Sequence, residues 1–131
     1  MSDTLPKQRL EIATEDLTVA HLVFAEEHLA HACFLSQQSI EKSLKAYLIA
    51  RANSYPRTHN LVILLNQCEA LEPNFSRFRT ECTVVDQYYV PTRYPDGIPG
   101  GLPTGLPTQQ QAQRAITAAE TLLQFVTTQL S

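Results

Sequence analysis

The sequence predicts an all-α fold, an antiparallel up-and-down bundle of four to five helices. Three observations predict it. Every long segment carries apolar residues at three- and four-residue spacing, no segment alternates with the two-residue period of a strand, and the Gly- and Pro-rich breaks fall between the periodic segments. With 131 residues and an apolar fraction of 44%, the chain can bury one core but not two, so residues 1–131 form a single domain.

Asp3 or Thr4 is placed to cap the first helix, with Pro6 in its first turn and Leu10, Ala13, Leu17, Ala20 and Phe24 recurring along one face. A second helix runs from about Leu29 to Ala52, burying Phe34, Ile40, Leu44, Tyr47 and Leu48, and Asn53-Ser54-Tyr55-Pro56 ends it, since the residue before a proline is steered away from helix. Thr58 is placed to cap the third helix, whose apolar face holds Leu61, Leu64, Leu65, Cys68 and Leu71 before Pro73 interrupts it. Phe75, Phe78, Cys82, Val85 and Tyr89 then keep helical spacing from about Asn74 to Tyr88. The stretch 97–107 contains all four glycines of the chain and cannot sustain a helix, so it is expected to be a flexible loop serving as a cover, a tether or a plain linker. Thr108 with Gln111 makes a capping box for a fifth helix striped by Ala112, Ala115, Ala119, Leu122, Val126 and Leu130. The expected core is Leu17, Phe34, Ile40, Leu44, Leu64, Leu65, Phe78, Val85 and Leu122.

The net charge of −3 argues against a protein coated in nucleic acid. Its distribution is uneven: acids outnumber bases from Met1 to Glu41, and bases outnumber acids from Lys42 to Arg93. That pattern suits either a local basic surface or ordinary solvated helix faces. No apolar run is long enough to cross a membrane, and the first residues lack the basic and apolar blocks of a secretion signal, so the expected location is cytoplasmic. Cys33, Cys68 and Cys82 are odd in number, have no Cys-x-x-Cys spacing, and read as small buried hydrophobes.

Three segments carry candidate chemistry. In Tyr88-Tyr89-Val90-Pro91-Thr92-Arg93-Tyr94-Pro95-Asp96 one arginine is framed by prolines and tyrosines, which suits anion recognition by a planar guanidinium or, equally, a packing corner at a helix end. On the second helix Gln38, Glu41, Lys42 and Lys45 lie three or four positions apart, so they can converge on a ligand or form a solvent face braced by the Glu41–Lys45 pair. In Arg57-Thr58-His59-Asn60-Leu61 the histidine sits at a helix amino terminus, where backbone N–H groups favour an anion; packing beneath the loop is the alternative. His21, His28 and His31 have no matching pair of the kind a zinc site needs, so no metal and no cofactor is expected.

Taken in order, Ser36 to Leu48, Arg57 to Leu61 and Tyr88 to Asp96 resemble the HEPN domain family, whose pattern has a Gln-Gln-Ala-x-Glu-Lys-x-Leu-Lys-Ala helix, a Thr-His-Asp-Leu helix start and a Tyr-x-x-x-x-Arg-Tyr-Pro segment. Ser39 stands where alanine is usual and Asn60 where aspartate is usual, which removes a charge that could orient His59. The resemblance implies the same helical fold, a two-fold homodimer with its Arg93 segments near one another, and either of two activities. One is a non-enzymatic module that binds a nucleotide or RNA end through Gln38, Lys42, Lys45, Arg57, His59, Arg93, Tyr94 and Asp96, and pairs with a minimal nucleotidyltransferase as in two-gene toxin–antitoxin systems. The other is a dimeric metal-independent endoribonuclease with His59 and Arg93 as catalytic candidates. The family's ribonuclease motif, an Arg followed after four to six residues by a His, is absent: Ile98, Pro99 and Gly100 occupy the three positions after Arg93, and seven residues separate Arg51 from His59. The expectation therefore leans away from an enzyme. A structural interaction domain without a ligand is the third reading.

Overall fold

The structure is a computed structural model that describes residues 4–89 and 105–131. Those residues form α1 (Thr4–Ala25), α2 (Leu29–Ala52), α3 (Leu61–Leu71), a 3-10 helix (Pro73–Phe78) leading directly into α4 (Arg79–Asp86), and α5 (Gln109–Leu130). Among the described residues, no helix is long and apolar enough to cross a membrane. Asp3, Arg93, Tyr94 and Asp96, with most of the 97–107 stretch, lie outside the described residues.

A tight turn folds α2 back on α1: Glu27 takes a left-handed backbone (φ 64°) and the His28 N–H donates to the Val23 carbonyl at 2.8 Å. Small residues let the two helices approach closely. Ala13 and Ala20 of α1 and Ala32, Ser36, Ser39 and Ser43 of α2 are all fully buried. Ser39, in the position where alanine was the expected residue, donates its hydroxyl to the Ala13 carbonyl at 2.8 Å and so ties the pair together. On its other side α2 meets α3 and α5, burying Ile40, Leu44, Leu61, Leu64, Leu65, Ile116 and Leu122. An aromatic layer closes one end, with Tyr47 edge-on to Phe75 at 4.7 Å and Phe75 edge-on to Phe125 at 4.9 Å.

Several boundaries follow the sequence closely. The α2 limits fall at Leu29 and Ala52, Asn53 ends the helix in a left-handed conformation (φ 59°), and the Thr108–Gln111 capping box opens α5. Others are corrected. Phe34 is only half-buried and stands outside the core, because it shares its flank of α2 with Glu41, seven residues on, and that flank is polar. Leu71 is 48% exposed, since α3 ends at it. The fourth helix begins as a 3-10 turn, with Pro73 at its start and the Glu72 carboxylate accepting from the Asn74 N–H at 3.0 Å. The cap of α3 is Asn60, whose side chain accepts from the Ile63 N–H at 2.9 Å; Thr58 shapes the turn before it, accepting from the Asn60 N–H at 3.0 Å. Cys33, Cys68 and Cys82 are free and fully buried, and burial pushes the Cys33 thiol up to about 11 and the Cys82 thiol up to about 12.

Helix order is up-and-down between α1 and α2 and between α3 and α4, where Asp86 lies beside Leu61 and Arg79 beside Glu69. Between α2 and α3 the chain first doubles back. The 53–60 connection runs along α2 in reverse, setting Tyr55 beside Lys45 and His59 beside Glu41 before α3 begins. This return path creates the candidate site.

Candidate functional site

Glu41 is the centre of the site. It is 5% exposed, and its carboxylate meets three donors: Gln37 Nε2 at 3.3 Å on Oε1, with Lys45 Nζ at 2.8 Å and His59 Nδ1 at 3.0 Å both on Oε2. Two of the three come from α2 itself at i−4 and i+4, which places them on its flank by helical period alone. The third arrives through the 53–60 connection, and Gln37 fastens that connection by donating to the His59 carbonyl at 3.2 Å. Gln38 supports Gln37 from behind, donating to its Oε1 at 2.7 Å. The Glu41–Lys45 pair is therefore a buried brace rather than a solvent-face pair, and neither charge is left without a partner.

His59 has its other sides set as well. Its ring stacks on Tyr89 with centroids 4.5 Å apart and planes 16° from parallel. The side chain is nonetheless 55% exposed, and the residue borders two open clefts. One, of about 520 Å³, is lined by Lys45, Ser54, Tyr55, Arg57, Thr58 and His59; the other, of about 330 Å³, by Thr58, His59, Asn60, Asp86 and Tyr89. The first is basic and aromatic. The Tyr55 ring carries Lys45 Nζ at 5.1 Å and the Arg9 guanidinium carbon at 5.5 Å from its centroid, and Arg9 donates to the Tyr55 hydroxyl at 3.0 Å. Lys45 of α2 and Arg57 of the connection thus line one cleft, and Arg9 of α1 bears on its Tyr55 wall.

At the second cleft the anion at the start of α3 is the chain's own. The Leu61 N–H donates to Asp86 Oδ1 at 2.8 Å and the Ile63 N–H to the Asn60 side chain, so this chain supplies its own carboxylate where a phosphate was expected. Burial raises the Asp86 carboxyl above its ordinary value, the Leu61 N–H pulls it back down, and Glu41 adds a smaller upward push. The orienting charge that Asn60 lacks is likewise present elsewhere, in Glu41.

Of the sequence-predicted residues, Lys45, Arg57 and His59 meet at the first cleft, and Gln38 reaches it only through Gln37. Lys42 does not converge with them. It turns to α1 and pairs with Asp16 at 2.6 Å, the neighbouring helix offering a carboxylate on that side. Arg9, Gln37, Tyr55 and Asp86 were not foreseen as site residues, and the sequence signal for them is weak because each joins through contacts remote in the chain. Elsewhere, His28 and His31 lie edge to face at 6.4 Å and His21 pairs with Glu120 at 2.8 Å. Among the described residues no group of three or more His, Cys, Asp or Glu could hold a metal ion.

A family model described as HEPN domain matches residues 6–129. The crystal structure of an archaeal HEPN homologue is similar over 96% of this chain and 98% of its own, at 29% identity and a TM-score of 0.76. A Thermus thermophilus protein of known crystal structure is similar over 93% and 95% respectively, at 30% identity and a TM-score of 0.72. No curated protein matches the chain.

Proposed function

The chain belongs to the HEPN domain family, and from that premise we propose that it is a module that binds a nucleotide or an RNA end at the cleft between α2 and the 53–60 connection, and that it pairs with a minimal nucleotidyltransferase in a toxin–antitoxin-like system. The observation that carries this reading is the cleft lined by Lys45, Arg57 and Tyr55 beside the half-exposed His59, with Arg9 bonded to the Tyr55 hydroxyl. A cleft of about 520 Å³ has the volume of a small-ligand site. Guanidinium groups suit phosphate geometry, and an aromatic ring between cations suits a base or a sugar face. Glu41 neutralises Lys45, which leaves Arg57 and Arg9 to supply the net positive charge.

Arg93 enters this reading through its tether. Tyr89 stacks on His59, and Arg93 follows four residues later, a length of chain that reaches at most about 14 Å. Arg93→Ala is expected to abolish binding of ATP and of a 5′-phosphorylated oligoribonucleotide in calorimetric titrations, with helicity by circular dichroism unchanged. Wild-type affinity in that variant would assign Arg93 to packing instead. Tyr94 and Asp96 belong to the same proposed segment.

A second reading rests on a separate observation. The Glu41–His59 bond is the arrangement that prepares an imidazole to take a proton from a 2′ hydroxyl, with an arginine stabilising the phosphate, so an endoribonuclease with a non-standard Arg/His site is the alternative. Both readings place two copies about a two-fold axis with their Arg93 segments adjacent. Light scattering at micromolar concentration is expected to report a dimer, and a monomer there would overturn that part.

A further inference from the structure

We propose that Glu41 is a positioning residue that fixes the tautomer of His59, so that the ring presents its Nε2 as a hydrogen-bond acceptor and takes a sugar hydroxyl of the ligand, while Arg57 takes the phosphate. This rests on the nucleotide reading above for the ligand and on the protein's own geometry for the tautomer.

One carboxylate oxygen is shared by two donors. Glu41 Oε2 lies 3.0 Å from His59 Nδ1 and 2.8 Å from Lys45 Nζ. A carboxylate oxygen only accepts, so the proton on that ring edge sits on Nδ1. Lys45 already balances the charge of Glu41, so a neutral imidazole satisfies the carboxylate and no second cation is needed. In the neutral ring with Nδ1 protonated, Nε2 carries the lone pair. Tyr89 stacked on one face and Gln37 holding the His59 carbonyl fix the plane and place of the ring, and the Glu41 bond selects the edge that faces inward. Nε2 lies on the edge opposite the buried carboxylate, on a side chain that is 55% exposed.

The consequence for the ligand is specific. A bare acceptor repels phosphate oxygens and welcomes a donor, and the donors of a nucleotide beside its phosphate are the ribose hydroxyls. At the start of α3 a phosphate meets competition, because Asp86 and the Asn60 side chain already occupy the Leu61 and Ile63 N–H groups. His59 is thereby assigned to sugar, and Arg57 in the lining of the same cleft to phosphate.

The test has two arms on the full chain. In a long-range proton–nitrogen spectrum of nitrogen-15-labelled protein at neutral pH, with the His59 signals identified by their loss in His59→Ala, the ring is expected to be protonated on Nδ1 alone, and Glu41→Gln, whose single amide oxygen goes to the Lys45 ammonium and whose NH2 then faces the ring, is expected to remove that preference. A wild-type ring protonated on Nε2 alone or on both nitrogens overturns the proposal, and needs no variant beyond the assignment. In calorimetry, AMP is compared with its 2′-deoxy and 3′-deoxy analogues and with inorganic phosphate. One deoxy analogue is expected to bind about tenfold more weakly than AMP, the worth of one good hydrogen bond, with the difference gone in His59→Ala. Equal affinities overturn the hydroxyl assignment. If neither AMP nor phosphate binds, the nucleotide reading falls and the hydroxyl assignment with it, while the spectrum still decides the role of Glu41.

Discussion

Glu41→Ala is expected to destabilise the fold by about 3 kcal/mol, the lower end of the range for removing one partner of a buried ion pair. The side chains of Lys45 and Glu41 are 10% and 7% exposed, so the variant strands a buried ammonium with no carboxylate. Lys45 retains only the face of Tyr55, a weaker partner. His59 loses its acceptor too, but it is half exposed and water can replace the bond, which keeps the loss near the lower end. Urea unfolding followed by circular dichroism measures this directly. Glu41→Gln keeps an acceptor for Lys45 and should lose less. A loss under 1 kcal/mol for the alanine variant would mean that the network is a solvated surface pair.

The second large effect concerns His59→Ala, and it separates the two functional readings. For the binding module, affinity for AMP should fall about tenfold, because a neutral imidazole contributes about one hydrogen bond. For the endoribonuclease, RNA cleavage should fall by a factor of about a hundred or more while RNA binding stays nearly constant, as expected for loss of a general base. Cleavage of a fluorescently labelled oligoribonucleotide, run beside a binding titration of the same substrate, reads both quantities. Stability should change little in either case, since the histidine packs mainly against Tyr89 and is half exposed.

Much of the fold was legible because it is written locally. Periodicity located α2, and the Thr108–Gln111 box located α5, since a cap involves residues only three apart. Where two good capping residues stand two positions apart, as Thr58 and Asn60 do, local chemistry does not choose between them; the register of Leu61 against Asp86 does. The site was half legible for the same reason. Helical spacing joined Glu41 to Lys45, but it also grouped Lys42 with them, and only the position of α1 shows that Lys42 answers Asp16. Nothing in Asn53-Ser54-Tyr55-Pro56 states that the chain runs back along α2, so the meeting of His59 with Glu41, and of Arg9 with Tyr55, emerged only from the folded path.

The central claim is that the return path of residues 53–60 along α2 makes a ligand site. Amide chemical-shift mapping of the labelled protein during titration with AMP tests it most directly. The account predicts that the largest shifts fall on Lys45 and on residues from Ser54 to His59, with Tyr89 following through its stack on His59. Shifts concentrated instead at the other clefts, around Leu5, Arg51 and Leu130, would contradict it.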